Sequence, residues 1–225
     1  MSLVDRLASV DAAIADAARE AGRDPAGITR IVVTKFHPAS LVRELAALGV
    51  RDVGENRHQE AAAKAAEVAD PGLRWHFIGQ LQRNKARAVR AYAAAVHSVD
   101  RTSLADALDT DGGADDPLEV FLELNLTSDP ERGGVDPARV EQLAEHVLTF
   151  PSLRLRGVMA VASLGASPRA EFARVRAASE RVRALAPDAT AISAGMSGDF
   201  REAILEGATH LRIGTAITGK REAPA

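Results

Sequence analysis

The chain has 225 residues, 46% of them hydrophobic, enough for one substantial core and close to the roughly 200 to 250 residues of a one-domain α/β barrel. Lys plus Arg number 28 against 31 Asp plus Glu, so the formal net charge is −3, which gives no electrostatic reason to expect nucleic acid or an anionic membrane as partner. There is no cysteine, which excludes disulfides, thiolate chemistry and cysteine-ligated zinc.

Met1 to Gly22 carries apolar residues at Val4, Leu7, Val10, Ile14 and Ala17/Ala18, a spacing of three to four that predicts an amphipathic helix. The stretch lacks the basic start and continuous apolar core of a secretory signal, and no later run approaches the ~18 apolar residues of a membrane span. A soluble cytoplasmic protein is expected. Gly22 to Gly27, with Pro25, make a turn into Ile31-Val32-Val33-Thr34-Lys35. That run is apolar at consecutive positions, which suits a strand covered on both faces of a parallel sheet. A lysine at a strand end is most often a solvated edge residue. In a parallel barrel, however, the C-terminal strand ends form the mouth where functional groups gather.

Strands and helices then alternate. Pro38 to Leu48 reads as a helix, with Pro38 near its first turn and Gly49 just past its end. Val50 to Val53 is a short strand, Glu55 to Ala69 an alanine-rich helix, and Leu73 to Ile78 a strand holding the only tryptophan, Trp75. A helix from about Leu81 to Ala94 follows, then a strand Ala95 to Val99, a helix from about Thr102 and a polar turn from Asp109 to Pro117. Leu118 to Leu126 is the longest strand candidate; after Gly133-Gly134 a helix runs from Pro137 to about Leu148, and Leu153 to Met159 is the sixth strand. Pro168 to Leu185 is a helix, Ala189 to Ser193 a strand, Asp199 to Glu206 a helix and His210 to Ile213 a strand.

About eight strand-helix units plus one leading helix predict a single (β/α)8 TIM barrel occupying residues 1–225 as one domain. The runner-up, an open doubly wound sheet, would carry a glycine-rich phosphate turn after the first strand, where Thr34, Lys35 and Phe36 stand instead.

Ser193-Ala194-Gly195-Met196-Ser197-Gly198-Asp199 follows the seventh strand, and Arg212-Ile213-Gly214-Thr215-Ala216 closes the eighth and starts a terminal helix. In a barrel the loops after strands seven and eight commonly form a phosphate cup. Gly214 lets the backbone come close, the N–H groups of Gly214 and Thr215 supply donors, and Ser197 could add a hydroxyl. Glycine-serine turns also join strands to helices in many other settings. Gly195-Met196-Ser197-Gly198 lacks the glycine two residues after the serine that a nucleophile elbow needs, which sets serine hydrolysis aside. Asn125-Leu126-Thr127 matches a glycosylation acceptor but reads more simply as a strand end. None of the six histidines forms a metal-binding pair at helical spacing, so no metal is expected, and His76 is the one placed near the mouth.

A lysine on strand one and an anion cup on strands seven and eight become neighbours when the barrel closes. That pair suits an aldehyde bearing a phosphate, and pyridoxal 5′-phosphate is such a ligand. Burial near other cations would make the amine more reactive by lowering its pKa from the reference ~10.4.

Several blocks together resemble the YggS/PROSC family of pyridoxal phosphate homeostasis proteins. They are Val33-Thr34-Lys35, Gly54-Glu55-Asn56 with Gln59-Glu60, Trp75-His76-Phe77-Ile78-Gly79-Gln80-Leu81-Gln82 with Asn84-Lys85, Arg156-Gly157-Val158-Met159, Gly195-Met196-Ser197 with Asp199, and Arg212-Ile213-Gly214-Thr215-Ala216. The resemblance covers nearly the whole chain and implies a barrel like the N-terminal domain of alanine racemase. It makes Lys35 the imine-forming lysine, puts Ser197, Gly214 and Thr215 at the phosphate and Arg212 beside the pyridine nitrogen, and sets Asn56 and Met196 near the ring. A guanidinium there stays charged and only donates, which discourages ring protonation and weakens the ring as an electron sink.

The only tyrosine, Tyr92, falls on a predicted outer helix, so the second base of a racemase has no evident source. Ala194, His37, Thr218 and Arg132 depart from the family pattern, the second and fourth standing where relatives have lysine. The expectation is a monomeric carrier that holds pyridoxal 5′-phosphate as a lysine Schiff base, without appreciable turnover, for vitamin B6 and amino-acid balance. Apo forms of pyridoxal-phosphate enzymes are the candidate recipients. Three rivals stay open: a weak racemase or lyase using the same imine, a cofactor-free Schiff-base aldolase, and a scaffold using the basic helix with Arg83, Lys85, Arg87 and Arg90.

Overall fold

Eight short strands alternate with helices in a computed structural model that describes residues 1–110, 115–129, 131–163 and 165–219. The strands are β1 (Thr29–Val33), β2 (Asp52–Glu55), β3 (Arg74–Phe77), β4 (Ala95–Val99), β5 (Leu118–Glu123), β6 (Leu153–Met159), β7 (Ala191–Ser193) and β8 (His210–Ile213). They pair in parallel, in chain order, and β8 closes onto β1 with Ile31 opposite Arg212. This is the (β/α)8 barrel expected from the alternation.

The first helix, α1 (Leu3–Glu20), begins with a capping box: Asp5 N–H donates to Ser2 Oγ at 3.1 Å and Ser2 N–H to Asp5 Oδ2 at 2.9 Å. These bonds hold the Asp5 carboxyl below its usual range. The apolar stripe of α1 buries Leu7, Val10 and Ile14, each contributing on the order of 1.5–3 kcal/mol. The helix packs against the last two, α8 (Phe200–Leu205) and α9 (Thr215–Thr218), and Arg6 Nε donates to the Ile217 carbonyl at 2.5 Å.

Outside the strands lie α2 (Ala39–Ala47), α3 (His58–Val68), α4 (Ala86–Arg90), α5 (Thr102–Leu108), α6 (Val140–Leu148) and α7 (Pro168–Leu185). Their buried faces, with Val42, Leu45, Leu104, Leu108, Val140 and Val175, pack on outward strand residues such as Val32, Val53, Val96 and Val120. A second, smaller cluster joins Ala95, Phe121, Met159 and Ala191. His97 of β4 reaches Ser193 of β7 at 2.8 Å. Those strands are not neighbours in the sheet, so this contact crosses the barrel interior. The interior is therefore partly polar, with His97 stacked on Phe121 at 4.2 Å between centroids.

Gly157 has φ +150°, and a Cβ there would stand 1.8 Å from the Ala191 carbonyl oxygen. It sits where the β5–β6 register shifts, a bulge that only glycine fits.

Several element boundaries differ from the sequence reading. The second strand begins later and ends at Glu55, because Val53, Gly54 and Glu55 pair with Trp75, His76 and Phe77; the helix expected from Glu55 starts at His58. The helix expected over Leu81 to Ala94 is a 3-10 turn at Arg83–Lys85 followed by the single turn and a half of α4. The chain must turn at Tyr92–Ala93 to place Ala95 on the sheet, and Arg90 is tied to the carbonyls of Leu108 and Ser152. The fifth strand stops at Glu123, and Leu124 bridges Val135 instead. The third strand is Arg74–Phe77, the seventh starts at Ala191, and the helix expected over Asp199 to Glu206 is one residue shorter at each end. The middle of the polar turn expected over Asp109 to Pro117, residues 111–114, lies outside the described residues. Among the described residues no helix is long and apolar enough to cross a membrane.

Candidate functional site

The closure of β8 on β1 brings the segments after both strands to one side of the barrel mouth, around a cavity of about 380 Å³. Small-molecule pockets run from roughly 300 to 1,000 Å³. Lys35 stands on its rim, two residues beyond β1. Phe36 follows in the left-handed region at φ 68°, a turn that lets the chain double back towards α2. Its ring sits 5.8 Å from Lys35 Nζ and 5.2 Å from the Arg57 guanidinium, within the range of cation–π attraction.

The facing wall comes from the loops after β7 and β8. Gly195 takes φ +93°, and the Asp199 carboxylate accepts from Met196 N–H at 2.6 Å, fixing the turn that presents Met196, Ser197 and Gly198. Ser197 Oγ accepts a long 3.4 Å bond from Ala216 N–H. The backbone N–H groups of Ser197, Gly198, Gly214 and Thr215 have no hydrogen-bond partner among the described residues. They are donors available to an anion.

Arg212 lines the same cavity from β8 and is only 4% exposed. Its Nη1 donates to Ser193 Oγ at 2.7 Å and its Nη2 to the Ala160 carbonyl at 2.8 Å. Burial brings its pKa down to about 10, opposed by the Glu123 and Asp199 carboxylates, so the group is a cation at neutral pH. Glu123, at the end of β5, is raised to about 7 by burial and by Asp100, against the pull of Arg212 and Arg132. Gln80 Nε2 lies 3.2 and 3.1 Å from its two oxygens.

Behind the Lys35 turn is a buried polar network. Thr34 Oγ1 donates to Glu55 Oε1 at 2.7 Å, Lys64 Nζ donates to the Thr34 carbonyl at 2.8 Å, and Glu60 Oε1 accepts from Phe36 N–H at 2.5 Å. Burial raises the Glu55 carboxyl despite its bonds to Lys64 and Thr34. The motif Gly54-Glu55-Asn56 with Glu60 hinted at this cluster. Lys64, four residues after Glu60 on one helix face, completes it, and that spacing is its mark in the sequence.

Of the residues singled out in the sequence, Lys35, Met196, Ser197, Arg212, Gly214 and Thr215 gather around this one cavity. Asn56 does not line it: a Cβ at Gly79 would meet the Asn56 carbonyl oxygen at 2.2 Å, and Asn56 Oδ1 is buried without a partner. Lys35 is exposed, so the burial expected to activate it is absent. His76, expected near the mouth, is 2% exposed inside the barrel, and it is His37 that lines the cavity. Burial, then Lys64, lowers the His37 pKa. Thr218 also lines the cavity, whereas Arg132 turns to the carbonyls of Val161 and Ala162. Tyr92 lies in the turn after α4, its ring stacked on His58 at 6.0 Å and its hydroxyl buried without a partner. Among the described residues no cluster of His, Asp or Glu is placed to hold a metal.

A parallel eightfold barrel with a lysine after β1, backbone N–H groups without partners after β8 and a buried arginine on β8 defines a barrel of the alanine racemase N-terminal domain class; that family matches residues 11–222. The chain belongs, within it, to the family of pyridoxal phosphate homeostasis proteins. It is 45% identical over 226 residues to the Pseudomonas aeruginosa member, covering 98% of this chain and 96% of that one. It is 36% identical over 231 residues to the Escherichia coli member, covering 98% and 97%. Among solved structures, PipY of Synechococcus elongatus with pyridoxal phosphate bound is 37% identical and superposes with TM-score 0.81 over 97% of this chain and 100% of that one. Alanine racemase of Corynebacterium glutamicum shares the fold at TM-score 0.71 and 16% identity, over 94% of this chain and 60% of that enzyme.

Proposed function

We propose that this chain is a single-domain, monomeric, cytoplasmic carrier of pyridoxal 5′-phosphate that serves vitamin B6 and amino-acid balance without appreciable turnover. The observation that carries the reading is the placement of an amine and a set of unpartnered backbone N–H donors on facing walls of one cavity, in a chain whose relative PipY has a structure with that cofactor bound. When bound, the cofactor supplies an aldehyde that condenses with an amine, releasing water. Lys35 is the amine in this reading. Ser197, Gly214 and Thr215 hold the phosphate through a hydroxyl and backbone N–H groups. Arg212 sits at the ring nitrogen as a pure donor, and Met196 packs near the ring.

A racemase needs a second proton-transferring group at the reacting carbon. Tyr92 does not line the cavity, which supports the carrier over the enzyme. Apo enzymes that use pyridoxal phosphate are the recipients in this reading. Mixing the protein with pyridoxal phosphate should give the visible absorbance of a lysine imine, and incubation with alanine in deuterium oxide should give no exchange at the α-carbon. A colourless mixture sinks the cofactor assignment, and exchange at enzymatic rates sinks the carrier.

A further inference from the structure

One line of hydrogen bonds crosses the barrel from its base to the cavity. Asp52 Oδ1 is 2.8 Å from His76 Nε2, and His76 Nδ1 is 2.9 Å from His97 Nε2. His97 Nδ1 is 2.8 Å from Ser193 Oγ, and Ser193 Oγ accepts from Arg212 Nη1 at 2.7 Å. The four residues from His76 to Arg212 are all buried. Asp52 lies at the other end, where β2 begins, on the wall of a second cavity of about 300 Å³ at the base of the barrel.

The two termini fix the direction of every bond between them. Arg212 can only donate and an ionised Asp52 can only accept. His76 and the Arg74 guanidinium hold the Asp52 carboxyl low, although burial alone would raise it. His97, wholly buried beside His76, His210 and Arg212, is driven well below the usual histidine range and is therefore neutral, with one N–H. Ser193 Oγ accepts from Arg212, and its own proton has one acceptor among the described residues, His97 Nδ1. His97 then carries its proton on Nε2 and gives it to His76 Nδ1, and His76 gives Nε2–H to Asp52. The reverse order strands the serine proton in the core without an acceptor.

We propose that Asp52, His76, His97 and Ser193 are positioning residues for Arg212: a one-way donor chain by which the base of the barrel sets the guanidinium at the cavity. The direction of the chain stands on its own geometry; its effect on a bound cofactor rests on the reading given under Proposed function.

The test is long-range proton–nitrogen correlation on the cofactor-free full chain with nitrogen-15 histidine. Both His76 and His97 should be protonated at Nε2 and bare at Nδ1, each as one tautomer. Asp52→Ala removes only the acceptor of His76 Nε2–H, so it should move that nitrogen to the shift of an unbonded N–H while Arg212 and Ser193 keep both rings in the same tautomer. Ser193→Ala, a small change that covers the case of a misfolded Asp52→Ala, should move His97 Nδ1 to the shift of an unbonded nitrogen. His97 protonated at Nδ1, or wild-type signals in these variants, overturns the chain. With pyridoxal phosphate added, the Asp52→Ala absorbance maximum should move from the wild-type position, and an identical spectrum overturns the positioning role. If the wild type gives no coloured adduct, the cofactor reading fails, and the tautomers alone decide the chain.

Discussion

Lys64 Nζ lies 2.7 Å from Glu55 Oε1, an ion pair with side-chain exposures of 7% and 1%, directly behind the turn that carries Lys35. The same ammonium holds the Thr34 carbonyl and Glu60, so one cation fixes both ends of the turn. Replacing Lys64 by Ala leaves a buried carboxylate uncompensated. A loss of about 3 kcal/mol is expected, read as a lower urea midpoint, and a change under 0.5 kcal/mol contradicts this account.

Lys35, by contrast, makes no ion pair among the described residues and is exposed. Lys35→Ala should therefore leave the melting temperature within about a degree while abolishing the coloured adduct with pyridoxal phosphate. Colour that survives in the variant removes Lys35 from the role.

Ser197 offers a hydroxyl engaged only in a 3.4 Å bond to Ala216 N–H. Ser197→Ala should cost little stability yet weaken cofactor binding about three- to tenfold, the worth of one hydrogen bond. Equilibrium titration by fluorescence would show it, and unchanged affinity places the anion elsewhere.

Glu123 gives a pH signature. Its folded-state pKa is raised from 4.5 to about 7, so the native state binds this proton more tightly than the unfolded chain. The stability it contributes is complete below about pH 4.5 and is lost as pH rises through about 7. Glu123→Gln should thus melt higher than wild type at pH 8, with the gap closing towards pH 4.5. Parallel curves over that range would show that the carboxyl is not held protonated.

The barrel and its site were legible to different depths. Consecutive apolar residues at Ile31, Val32 and Val33 gave β1, and strand-helix alternation gave the closure that makes Lys35 and Gly214 neighbours. Short elements were less legible, since α4 has only five residues and its fate is set by where Ala95 must join the sheet. His76 was misplaced because alternation tells which face of a strand a residue takes but not how deep in the barrel it lies. The Lys64 network and the histidine chain join residues far apart in sequence. Only the barrel's curvature, which the pattern of one chain does not encode, brings them together.

The clasp of Arg6 on the Ile217 carbonyl ties α1 to the short helix that follows Gly214, and β1 finds its second neighbour only in β8. On the ribosome, Lys35 is made long before the wall that faces it. A nascent chain thus carries Lys35 before the other lining of the cavity exists. Closure of the ring and completion of the pocket become one event, which waits for β8.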